Sequence, residues 1–409
     1  MSKRPILAAG LAGVLIVAGL AACSSSGKSS TSAKSEIKLM VVGAIAPSAA
    51  FGGIAFPYGA TGAKAAVAAL NKSGGIDGHE IHLDVCDTKG DPNGSAQCGR
   101  TAIANKDIAV VGAFDPIGAV QDLAVLKAAN IPYIGGLPTT YAELNEPNSF
   151  QFDPGPILSG FALVGLWQTS GCKTVSSILP ANPGNDQVAA QEKALAATMG
   201  VKVSTQLVTP GIADIAPSLS TALRNSPDCF TYAGDGQTNV KYILAARKQG
   251  YQGKIITTPG SLTPQFLPPL GKAADGILAV NSTAQPMSGD PATAGFDKDM
   301  ASYLDNDKSQ IAMNDNEFAQ DGWSSVQLVK LALTGAKTFT SQTLMQKIPT
   351  MCDVNVGNVY AHVDFCKPLG SNKTLSRVYN DDWQYLTIKD GRYVSDGVWH
   401  NLVSLFPKG

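Results

Sequence analysis

The chain has 409 residues, of which 44% are hydrophobic and 15% charged, with 31 Lys and Arg against 32 Asp and Glu for a formal net charge of −1. This balance fits a globular protein and excludes an intrinsically disordered one. It leaves no basic footprint that would call for nucleic acid as a partner.

Lys3 and Arg4 precede an apolar run from Ile6 to Leu20, which closes on Ala21-Ala22-Cys23. A short basic region, an apolar stretch below the roughly 20 residues of a spanning helix, and small residues at the cut describe a secretory signal over residues 1–22. Leu20-Ala21-Ala22-Cys23 resembles the bacterial lipobox, in which the Cys thiol takes a diacylglycerol and becomes the new N-terminus. The competing reading is an ordinary secreted chain whose first Cys enters a disulfide. Residues 23–35 carry no apolar side chain larger than Ala after Cys23 and read as a flexible tether, with a reach on the order of 20 Å. The expected place of work is therefore the outer face of a bacterial cytoplasmic membrane, with Cys23 as lipid anchor. The remaining chain of about 385 residues suits two lobes.

From Ile37, IKLMVVGAIA is a buried strand ended by Pro47. Ala63, Val67 and Leu70 recur at helical spacing over 61–71 and stop at Gly74-Gly75. Ile81, Leu83 and Val85 alternate as a strand, 102–106 closes a helical stretch, and IAVVGAF (108–114) is a third apolar strand. The rhythm restarts after Phe152-Asp153-Pro154. Strands are expected at 174–179, 201–208, 229–234 and 254–258, with helices over 187–199, 213–224 and 239–248 between them. DGILAV (275–280) is a further strand, 317–333 a long helix, and the tail from Val354 is strand-like. Apolar strands each followed by an amphipathic helix indicate α/β lobes with parallel sheets covered on both faces.

Apart from Cys23, cysteines stand at 86, 98, 172, 229, 352 and 366, an even number in an exported chain, so disulfides are the natural reading. Fifteen connectivities are open, and the local pairs Cys86 with Cys98, Cys172 with Cys229, and Cys352 with Cys366 fit the layout of elements. No CxxC occurs, and His79, His82, His362 and His400 do not gather near the cysteines, so no metal site is expected. His79 and His82 are expected at the surface. The absence of GxSxG, HExxH and a Walker loop speaks against an enzyme, and no cofactor is expected.

IKLMVVGAIAPSAAFGG, TGAKAAVAALNKSGGIDGHEIHLDVCD with Asp91-Pro92, VVGAF, IPYI with PTTYAEL, FDP and FTYAG occur in order along the mature chain. In this the sequence resembles a type I periplasmic binding protein of the branched-chain amino-acid-binding (Leu/Ile/Val-binding protein-like) branch. The resemblance implies two doubly wound parallel-sheet lobes joined by a three-crossover hinge, with a small-molecule ligand enclosed by closure. It divides the chain into lobe 1 (36–155 plus 281–335) and lobe 2 (156–280 plus 336–409), and it sets Cys172 and Cys229 at the starts of neighbouring strands. It further implies a monomer delivering its ligand to the permease subunits of an ABC transporter. A ligand-sensing lipoprotein and, less favoured, a secreted enzyme are the alternatives.

Carried over position by position, the family's ligand contacts fall on Phe51, Asp115, Pro116, Thr139 and Thr140 in the first lobe. In the second they fall on Asn185, Asp235, Gly260 and Ser261, with Gln320 and Trp323 on the helix bordering the cleft. Each could instead be a loop or helix-cap residue. Amino-acid binders of this kind hold the ligand carboxylate near the position of Asp115 and its ammonium with an acid near that of Gly260. Two like charges about 4 Å apart cost on the order of 4 kcal/mol at an effective dielectric near 20, which disfavours an ordinary α-amino acid. A neutral hydroxyl- or amide-bearing ligand, or a cationic one, is expected instead.

Overall fold

A computed structural model describes residues 34–402 except 52, 182–184, 362 and 370–374. The signal segment, Cys23, His362 and the tether up to residue 33 lie outside the described residues.

The first sheet is built from β1 (Ile37–Gly43), β2 (Ile81–Asp87), β3 (Ala109–Ala113), β4 (Tyr133–Gly136) and β5 (Ser149–Phe150), all parallel in the order β2-β1-β3-β4-β5. Successive side chains in a strand face opposite ways, so apolar strands feed two cores. Leu39, Val41 and Val111 pack under α1 (Tyr58–Lys72), while Met40, Val42 and Val110 pack under α2 (Pro92–Asn105) and α3 (Ala119–Ala128). Only the end of α2 is periodic in sequence; its start is fixed by Asp91, whose carboxylate accepts from Asn93 N–H (2.7 Å) and Gly94 N–H (3.0 Å), with Pro92 at the first helical position.

After β5 the chain crosses at Gln151–Pro154 into α4 (Gly155–Thr169), which is apolar all round and so shows no stripe in sequence. The second sheet follows: β6 (Thr174–Pro180), α5 (Asn185–Thr198), β7 (Lys202–Val208), α6 (Ala216–Leu223), β8 (Cys229–Tyr232), α7 (Gly236–Lys248), β9 (Lys254–Thr257) and β10 (Leu278–Asn281). These strands are parallel in the order β10-β9-β8-β6-β7. A second crossover at Ser282–Gln285 returns the chain to the first lobe for α8 (Ala294–Tyr303), α10 (Glu317–Leu333) and α11 (Ser341–Lys347), with the short exposed α9 (Lys308–Met313) between α8 and α10. The third crossover leads to the hairpin of β11 (Asp382–Lys389) and β12 (Arg392–Asn401), which joins β10 antiparallel.

The return to the second lobe comes later than the sequence division at 336. Leu344, Ile348, Met351, Val356, Val359, Val363 and Phe365 are buried in the core of the first sheet, and Leu369 is the first of this stretch to join the second. Their apolar spacing is visible in sequence, but it does not say which of two cores they enter.

The disulfides are Cys86–Cys98, Cys172–Cys229 and Cys352–Cys366. Cys352 and Cys366, whose sulfurs lie beside the Asp364 carboxylate, are thus joined to each other. His79 stacks on Phe339 and His82 reaches Asp84 (3.1 Å).

The seam of α1 on α10 fixes the helix that borders the cleft. Its backbones touch: a Cβ on Gly62 would lie 1.8 Å from the Ala319 carbonyl oxygen, and one on Gly322 would lie 1.9 Å from that of Gly59. Glycine at both places lets the start of α10 sit directly over the carboxyl ends of the first sheet's strands.

Candidate ligand-binding cleft

In open parallel sheets, ligands meet the loops beyond the strands' carboxyl ends. On the first lobe those loops and the start of α10 gather four phenylalanines. Phe51 lies edge-on to Phe56 (5.4 Å between centroids), Phe56 against Phe114 (4.9 Å), and Phe114 edge-on to Phe318 (5.0 Å), with Tyr58 6.0 Å from Phe318. All five rings are only half-buried. Apolar rings left part-exposed on these loops form a ready face for a ligand. Of these only Phe51 was expected from sequence. The others stand at 56, 114 and 318, too far apart along the chain for any local pattern to unite them.

Asp115 follows β3 but its side chain is fully buried beneath the loop. Its Oδ1 accepts from Gly118 N–H (3.2 Å) and Thr88 Oγ1 (3.3 Å). Burial raises its pKa, and hydrogen bonds from Ser95, Gly118 and Thr88 partly offset this. The expected repulsion of a ligand carboxylate by an exposed Asp115 therefore lacks its geometry, because the carboxylate faces the protein. Pro116 is half-buried beside it.

Thr139 and Thr140 after β4 are occupied by a carboxylate of the chain itself. Glu143 Oε2 accepts from Thr139 N–H (2.8 Å), Thr140 N–H (2.8 Å) and Thr140 Oγ1 (2.9 Å), and the Tyr133 hydroxyl donates to Oε1 (3.2 Å). Burial pushes Glu143 up to about 7 against the lowering of those donors. An anion-binding turn is thus already filled.

On the second lobe, Asp235 is the N-cap of α7. It accepts from Thr238 N–H (2.9 Å) and the Tyr232 hydroxyl (3.2 Å) while staying half-exposed. Asn185 opens α5 and donates to the Pro180 carbonyl (2.7 Å). Ser261 accepts from Thr258 Oγ1 (2.8 Å). Gly260 holds the position where an acid was expected to be missing, and the structure supplies one from the other lobe. Glu317 Oε1 lies 2.3 Å from where a Gly260 Cβ would stand, and the Gly260 N–H donates to that carboxylate.

Two candidates on α10 do not face the ligand region. Gln320 is fully buried and ties the second crossover to α10, accepting from Thr283 Oγ1 (2.6 Å) and donating to the Ala284 carbonyl (2.8 Å). Trp323 sits in the first lobe's core, edge-on to Phe296 and donating through Nε1 to Asp299 (3.0 Å). Helical spacing puts Trp323 on the side of α10 turned to α8, away from Phe318.

Contacts cross the cleft besides that of Glu317 with Gly260: the Tyr58 hydroxyl meets the Gln265 side chain, and Gln191 donates to the Tyr141 hydroxyl. At Tyr58 and Glu317 the lobes therefore touch beside the aromatic face.

The profile of a family described as periplasmic binding protein matches residues 40–378. Among solved structures, the chain is similar to the leucine-binding protein LivK of Thermotoga maritima, at 16% identity, a TM-score of 0.68, and coverage of 89% of this chain and 98% of that one. It is similar to LivJ of Streptococcus pneumoniae, solved with isoleucine, at 17% identity, a TM-score of 0.70, and coverage of 89% and 100%. A Rhodopseudomonas palustris solute-binding protein solved with benzoate matches at 14% identity, a TM-score of 0.72, and coverage of 88% and 96%. No curated protein sequence matches the chain. At such identities the structural likeness establishes the fold.

Proposed function

The chain belongs to the periplasmic binding protein family and has the type I fold, and from that premise we propose that it is a lipid-anchored solute receptor of an ABC importer, of the branched-chain amino-acid-binding branch. It works on the outer face of the cytoplasmic membrane, held through Cys23, captures one small ligand between its lobes as a monomer, and presents it to the permease. The tether supports this reading, since it substitutes effective concentration for affinity in meeting a membrane partner.

The observation that carries the ligand class is the half-exposed face of Phe51, Phe56, Phe114 and Phe318. It suits a flat apolar body, while Asp235 on the opposite lobe suits a hydroxyl, amide or ammonium group. The donors of Thr139 and Thr140 are spent on Glu143, which argues against an α-carboxylate bound there. Solved members of this fold hold isoleucine and benzoate, so both aliphatic and aromatic bodies fit the architecture.

A thermal-shift screen over amino acids, amides, polyols, polyamines and aromatic amines tests the proposal. A ligand at 100 times its Kd adds about 2.7 kcal/mol to stability. The expected hit is an aromatic compound bearing an amine or hydroxyl, with the shift reduced in Phe114→Ala. Stabilisation by leucine or valine alone, unchanged in that variant, would refute the ligand class.

A further inference from the structure

Where the lobes meet, three carboxylates are buried with no basic partner among the described residues. Asp153 lies on the first crossover, and Glu317 and Asp321 stand one turn apart on α10. Asp153 and Asp321 are each 1% exposed and Glu317 8%. Asp153 accepts from Gly155 N–H (2.6 Å) and the Ser282 hydroxyl, so it joins the first crossover to the second. Asp321 accepts from the Tyr360 hydroxyl. Glu317 reaches across to the Gly260 N–H on the second lobe.

The groups facing this cluster are themselves acidic or phenolic. Asp153 and Glu317 repel Asp321, Tyr360 lies against Asp321 and within the field of all three, and Tyr393 on β12 feels Glu317 and Asp315. Asp315, just before α10, feels Asp297 and accepts from Gln285. Among the described residues no Lys, Arg or His acts on Asp153, Glu317 or Asp321.

Of the three acids, Glu317 has its contact with the opposite lobe. In this structure the Gly260 loop of the opposite lobe lies on the Glu317 carboxylate, which is buried near Asp153, and separating the lobes would take that loop away. We infer that closing of the two lobes is coupled to uptake of a proton at Glu317. The sign follows from burial. With the lobes in contact as here, desolvation and then Asp153 raise the Glu317 pKa to about 8, against a smaller lowering by the Gly260 N–H; exposure on separation would bring it back toward the usual carboxylate value. Between those two values the closed form is protonated and the open form is not. Closing is therefore favoured as pH falls through that window, and the dependence vanishes above and below it. Gly260 is part of the device, since any side chain there would strike the carboxylate.

The coupling does not depend on which ligand binds, so it can be read without one. The full-length protein in detergent, carrying fluorophores on non-natural residues at exposed Val120 of the first lobe and exposed Gln237 of the second, reports lobe separation by energy transfer. Between pH 9 and pH 5.5 the wild-type transfer efficiency should rise, with the closed-to-open ratio changing by up to about tenfold per pH unit, the limit for one proton. Glu317→Gln, which keeps the size and neutral form of the protonated acid, should stay at the high-efficiency limit throughout. Gly260→Ala places a methyl 2.3 Å from Glu317 Oε1, which must swing out of its seat, and should hold the transfer efficiency below wild type at low pH. A wild-type signal flat with pH overturns the inference, and so does Glu317→Gln titrating like wild type. Retained far-ultraviolet circular dichroism identifies the variants as folded, and the opposite shifts expected of the two separate a switch from general loosening.

Discussion

Replacing Gly322 by Ala tests whether the backbone seam between α1 and α10 sets the cleft wall. The added Cβ would lie 1.9 Å from the Gly59 carbonyl oxygen and 2.7 Å from its carbon. Non-bonded heavy atoms settle near 3.5 Å, so the helices must part by about 1.5 Å or bend. The atom it strikes is backbone and cannot rotate away. Overpacking of this kind costs roughly 1–3 kcal/mol, more than the gain of roughly 0.5–1 kcal/mol that Ala brings over Gly inside a helix. Gly295 on α8 is the matched control: its added Cβ would meet Trp323 at 3.5 Å, an ordinary contact, so Gly295→Ala should be neutral or stabilising. Urea denaturation of both variants beside wild type reads the difference. If Gly322→Ala were as stable as Gly295→Ala, the close seam would not exist.

Further outcomes follow from separate parts of the fold. The Cys172–Cys229 bridge closes a sequence separation of 57; replacing both by Ala should cost about 4 kcal/mol on the chain-entropy estimate, read by urea denaturation. Glu143→Ala strands the N–H groups of Thr139 and Thr140 and should cost roughly 3 kcal/mol; a loss below about 0.5 kcal/mol would show those donors finding water. Burial pushes Glu192 up to about 8, so the folded chain keeps a proton that the unfolded chain releases above its ordinary value. That stability is present at low pH and lost as pH rises towards 8, roughly 3 kcal/mol between pH 5.5 and pH 8.5. Glu192→Gln should flatten the profile in pH-dependent unfolding.

Much of the architecture was legible because β1 and β3 are apolar on both faces and α10 carries a clear stripe; its span of 317–333 is the same in sequence and structure. α4 was not legible, since a helix apolar along nearly its whole length has no stripe to find. The destination of residues 344–365 was hidden for a different reason: local spacing shows that Leu344 and Ile348 are core residues, while tertiary packing decides whose core. At the cleft, sequence located the loops but not the directions of their side chains. Asp115 turns inward because Thr88 and Gly118 offer hydrogen bonds, and Trp323 faces α8 because Asp299 and Phe296 receive it. Glu317 was missed because its role depends on Gly260, a residue that signals nothing by itself.

Capture between two lobes is tested most directly by calorimetry of the screening hit against one variant from each side. Phe114→Ala removes a ring from the first lobe's aromatic face, and Asp235→Asn removes a charge from the second lobe while retaining an N-cap for α7. Both should weaken binding by about tenfold or more, a loss of about 1.4 kcal/mol each. Affinity unchanged in either variant would contradict a ligand held by both lobes.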